Sequence, residues 1–67
     1  MNETVKIWLE QLGNPTTEEI RAEIEDVEGT ISNERLWAHV DSIHEENIAV
    51  LLEYLKALNE MLAGKEV

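Results

Sequence analysis

The segment Ile48 to Leu62, IAVLLEYLKALNEML, constrains the rest of this chain more than any other. Ile48, Leu51, Leu55, Leu58 and Leu62 recur every three or four residues, the spacing that aligns side chains along one side of an α-helix. Leu52 widens that stripe on one flank, and Val50, Tyr54 and Met61 widen it on the other. Only Glu53, Lys56, Asn59 and Glu60 form a clearly polar strip, so more than half of the circumference needs cover. A chain of 67 residues has few other segments to supply it. The expectation is that a second copy helps. Ile48, Leu51, Leu52, Tyr54, Leu55, Leu58, Met61 and Leu62 are the candidate self-association residues, and a symmetric dimer is the favoured homo-oligomer.

Upstream, Asn2 to Leu12 reads as a short first helix, with Val5, Trp8, Leu9 and Leu12 on one face and Ile7 nearly opposite. Glu3 suits the positive helix end, and Gly13 stands just past the other. Gly13, Asn14 and Pro15 then force a turn. Thr16 and Glu19 have the spacing of a capping box, which starts a second helix lined by Ile20, Ile24, Val27 and Ile31. Leu36, Trp37 and Val40 leave that stripe, so a bend, cap or fresh start is expected near Ser32. A second break is favoured between Asp41 and His44, where Ser42 and Glu45 again have capping-box spacing. The stretch after Leu62 reads as a fraying terminus.

These elements make an all-α fold. It is a small bundle of three helices, or of four segments if the chain divides at both places, or else a helical hairpin with a short N-terminal helix, completed by self-association. A single domain covers 1–67. Abundant leucine, isoleucine, alanine and glutamate, with no phenylalanine, favour helix over sheet. The absence of cysteine excludes disulfides and thiolate chemistry and fits a cytoplasmic protein. No secretion signal is visible, and the longest apolar run, Ile48 to Leu52, is far too short to span a bilayer.

Fifteen acidic residues against five lysines and arginines give a formal net charge of -10. That charge opposes direct binding to nucleic acid or anionic membrane and favours encounter with a basic protein surface. Catalysis is not expected, because paired acids such as Glu19 with Glu23 or Asp41 with Glu45 need a cleft to differentiate them. No cofactor is expected. His39 and His44 lie about 140° apart around a helix, a poor arrangement for a shared metal, so neither is assigned as a ligand. His44 is expected to border the core and bond to a carboxylate or backbone partner, with His39 in solvent.

Two features remain for partner binding. Glu18, Glu19, Glu23, Glu25, Asp26 and Glu28 concentrate negative charge on the second helix. Their usual meaning is solubility; their functional one is steering toward a basic surface, or mimicry of nucleic-acid phosphates. Leu36, Trp37 and Val40, beside Arg35, offer an apolar contact patch. For Trp8 and Trp37 alike, core or copy-to-copy packing is the first expectation and contact with a different protein the second. The functional expectation is a small acidic regulator or inhibitor that occupies a larger protein. A nucleic-acid-mimicking inhibitor and a purely structural homo-oligomer are the alternatives.

Overall fold

Side chains at the helix starts set the boundaries of the fold. In the computed structural model, which describes residues 2–40 and 42–66, the chain forms α1 (Glu3–Leu12), α2 (Thr17–Trp37) and α3 (Ile43–Glu66), with no strand among the described residues. The Asn2 side chain accepts from the Thr4 amide at 2.8 Å and caps α1. Gly13 ends it with φ 67°, a conformation open to a residue without a Cβ, and its amide donates to the Glu10 carbonyl. The capping box of α2 closes reciprocally: the Glu19 amide donates to Thr16 Oγ1 at 3.2 Å, and the Thr16 amide donates to Glu19 Oε1 at 3.1 Å. At the start of α3 the Glu45 amide donates to the Ser42 carbonyl.

The helices run up, down and up. Asn2 donates its amide to Glu53 and Trp8 stacks on Tyr54, while Lys65 donates to Asn14 near the far end, so α1 runs parallel to α3. Arg21 pairs with Glu66 and Glu34 with His44, which makes α2 antiparallel to α3. Val5, Ile20 and Leu58 are fully enclosed, and Val27, Ile31 and Tyr54 complete the cluster. Trp8, Leu9, Leu12, Ile24, Leu51 and Leu55 pack around it, each partly buried. No helix among the described residues is long and apolar enough to cross a membrane.

The break between α2 and α3 falls where it was expected. The bend near Ser32 does not exist: α2 continues to Trp37. Its inward stripe does not stop at Ile31 but goes on through Glu34 and Ala38, both partly buried, and Glu34 is held there by His44. Leu36 and Trp37 are out of phase with the stripe because they face solvent on a straight helix. The C-terminal segment is not frayed to Leu62 either, since α3 runs to Glu66 with Arg21 and Lys65 fastening its last turns; Val67 lies outside the described residues.

α3 is rotated relative to its leucine stripe. Tyr54, assigned to a flank, is central, and Ala57 is buried beside Leu58. The wide apolar belt is thus covered from two sides within the chain: Tyr54 and Leu58 belong to the core, Ile48, Leu51, Leu55, Met61 and Leu62 pack partly against it, and Leu52 is the belt member left exposed.

Lengths do not match. α1 has 10 residues, against 21 and 24 in α2 and α3. At 1.5 Å per residue it is about 15 Å long beside partners of roughly 32 and 36 Å. The molecule is accordingly a rod of 41 × 21 × 17 Å, three helices thick at one end and two at the other.

Candidate functional site

The two-helix end carries most of the exposed apolar surface; Ile7 on α1 and Leu52 on α3 are exposed elsewhere. Leu36 is 68% exposed, Trp37 54%, Val40 66% and Ile43 53%, values that place these side chains outside the core. The amide of Val40 reaches back to the Trp37 carbonyl at 2.9 Å, folding the chain after α2 into a tight turn that holds Trp37 and Val40 close in space. Of core or copy-to-copy packing, the first expectation for both tryptophans, the core alternative holds in part for Trp8 and does not hold for Trp37 within this chain. The tip is anchored from inside by the Glu34 to His44 pair, which ties the last turns of α2 to the first turn of α3. His44 is partly buried and His39 exposed, as the sequence suggested.

The acidic residues of α2 do not form one row. At 100° per residue they fan over roughly 220° of the helix surface. Glu18 and Glu25 face outward, Glu28 lies on the flank shared with Arg35 and Leu52, and Glu23 and Asp26 lie on the opposite flank, toward α1. Glu19 is occupied in the cap, and Arg21, amid the carboxylates, pairs with Glu66. Glu23 sits beside the hydroxyl of Tyr54. Burial pushes that hydroxyl up to about 12 from its ordinary 10.0, and the charge of Glu23 and a hydrogen bond to its carboxylate add to the shift.

The flank toward α1 borders a groove that periodicity did not reveal. Both α1 and α2 pack on α3, yet no Cα of α1 comes within 8 Å of one of α2 among the described residues. Two cavities, of about 290 and 370 Å³, lie in the gap and share Trp8, Thr30 and Leu51 as walls. Leu51 and Tyr54 form the floor, Trp8 and Leu12 one wall, and Val27 and Thr30 the other, with Glu23 and Asp26 at the rim. Toward the tip the groove continues between Thr4 and Glu34. A helix-by-helix reading finds inward stripes but not whether two stripes touch each other, so the sequence signal stopped short of this feature.

Among the described residues, no three histidine or carboxylate side chains gather where they could share a metal ion. Asp41, paired with Glu45 in the sequence, lies outside the described residues. His44 bonds to Glu34.

Comparison with protein families, curated proteins and solved structures finds no match. The functional reading accordingly rests on surface chemistry.

Proposed function

We propose that this chain is a small acidic protein-binding regulator or inhibitor, without catalytic activity, that occupies the surface of a larger protein. The observation that carries the reading is the exposed tip, where Leu36, Trp37 and Val40 are each more than half exposed at one end of the rod. Exposed tryptophan flanked by aliphatic side chains is the composition of binding hot spots, because its large area is desolvated only when a partner covers it. The charge of -10 supplies the second element, attraction at a distance toward a basic surface. Fanned carboxylates suit such general steering better than phosphate mimicry, which needs a regular row. The proposed compartment is the cytoplasm, in keeping with a chain that contains no cysteine.

The test is affinity capture from native lysate with the wild-type chain and with Trp37→Ala, each repeated in the presence of competing DNA. The reading expects one stoichiometric partner that is lost with Trp37→Ala and indifferent to DNA. A partner displaced by DNA would move the assignment to mimicry. Recovery of the chain alone, in a larger assembly of itself, would move it to a structural homo-oligomer.

A further inference from the structure

The groove between α1 and α2 has the form of a bundle with one corner empty. In a square four-helix arrangement, neighbours touch and diagonal helices do not; here α1 and α2 each pack on α3 and stay apart from one another. The vacant corner is lined by Trp8, Leu12, Val27, Leu51 and Tyr54, an apolar surface suited to one face of a helix. Every charged side chain lining the two cavities is a carboxylate: Glu23, Asp26 and Glu34, the last already bonded to His44. From Glu23 to Glu34 the groove extends about 16 Å along α2, or three helical turns.

We infer that this groove is a seat for a basic amphipathic helix of a partner protein, with apolar residues on Trp8, Leu51 and Tyr54 and lysine or arginine facing Glu23 and Asp26. The inference rests on the reading of the chain as a protein-binding module and adds a second contact site to the exposed tip. Charge decides between occupants. A second copy brings its own charge of -10 to a rim that is already negative, whereas a cationic helix neutralises it. The Trp8 wall works in the same direction, since a partly buried indole attracts cations as well as apolar groups.

The chain contains two tryptophans, one at each site, so their two indole N–H signals in a nitrogen-correlated NMR spectrum report the sites separately. The probe is a synthetic helical peptide of leucine and lysine about four turns long, with a control in which glutamate replaces lysine. The expected result is a saturable shift of the Trp8 indole signal with the lysine peptide and none with the control, whether or not the Trp37 signal moves. Asp26→Asn, which leaves the Glu23 carboxylate on Tyr54 undisturbed, should weaken that binding roughly threefold at low salt. The change keeps side-chain size, and far-UV circular dichroism verifies the fold. A shift confined to Trp37 would overturn the groove and leave the tip as the binding site. A response of neither signal at millimolar peptide would also overturn it, and the lysate capture with Trp37→Ala would still judge the tip independently. Equal binding of the glutamate peptide at Trp8 would overturn the basic occupant.

Discussion

Trp8 of α1 and Tyr54 of α3 meet ring to ring, with centroids 5.1 Å apart and planes inclined by 57°. This tilted pair is a principal attachment of a helix too short to hold itself in place. An isolated ten-residue helix is unstable in water, so α1 exists because Val5 and Trp8 dock on α3. The same pair forms the floor and wall of the groove, which joins the stability of α1 to the shape of the candidate binding site.

The two tryptophans should consequently behave in opposite ways. Trp8→Ala removes a partly buried ring and its aromatic contact and should destabilise the chain by about 3 kcal/mol, the low end for large aromatic truncations. Trp37→Ala should stay within about 0.5 kcal/mol of wild type, as for an exposed position. Urea denaturation followed by circular dichroism compares them directly; a large loss for Trp37→Ala would place that ring in a core that a second copy completes.

Tyr54 is the single tyrosine, which allows its ionisation to be followed by the absorbance of tyrosinate. Burial, with Glu23 beside the hydroxyl, holds its pKa near 12 instead of 10.0. Between these values the unfolded chain has released the proton while the folded chain retains it. The folded state then binds more protons, so stability falls as pH rises. The contribution is complete below about pH 10 and is lost through about pH 12, to a total of roughly 3 kcal/mol. Tyr54→Phe should remove this part of the alkaline loss, leaving a shallower decline. Identical alkaline denaturation of the two proteins would show that the hydroxyl is solvated.

Glycine substitutions test the backbone. Gly29 lies on the exposed side of α2, and a Cβ there meets nothing within 4 Å. Gly29→Ala should stabilise the chain by about 1 kcal/mol through helix propensity alone. Gly13 also has open space around it, but its φ of 67° strains any side chain, so Gly13→Ala should destabilise by about 1–3 kcal/mol. Thermal midpoints of the two variants should move in opposite directions.

The sequence carried the helices further than it carried their arrangement. Gly13 and the Thr16 to Glu19 box act locally, within one turn of backbone, and were legible for that reason, whereas Asn2, read as the first helical residue, caps α1 from just outside it. Ile20, Val27, Ile31 and Leu58 followed from period alone. The end of α2 did not, because its inward positions are Glu34 and Ala38, a charged residue and a small one that no apolar stripe reveals; what makes Glu34 acceptable there is His44, from another helix. The centre of α3 lay hidden for a related reason. α1 and α2 approach α3 from different directions, so Tyr54 and Ala57 are central to the pair although they flank the leucine stripe. The exposed patch of Leu36, Trp37 and Val40 was visible as a break in phase, whereas the groove depends on a distance between two helices that neither sequence segment encodes by itself.

Charge and apolar contact occupy separate parts of the rod, and their contributions to partner binding should separate in kinetics. Glu25 and Glu28 lie about 18 and 14 Å along α2 from Trp37, too far to share one contact but close enough to act on the same encounter. Reversing Glu25 and Glu28 to lysine, which leaves the rim of the groove intact, should slow association with the captured partner about fivefold at low salt, while leaving dissociation almost unchanged. Glu23 is best left in place in that experiment, because its carboxylate is engaged with Tyr54. Trp37→Ala should do the reverse: association is kept, and dissociation accelerates by roughly thirtyfold, equivalent to about 2 kcal/mol for a hot-spot side chain. Surface plasmon resonance over a range of salt resolves the two rates, and the salt dependence of association should flatten in the charge-reversed chain alone. If Trp37→Ala left dissociation unchanged while the carboxylate reversal accelerated it, the holding contact would lie along the carboxylates of mid-α2 and not at the tip.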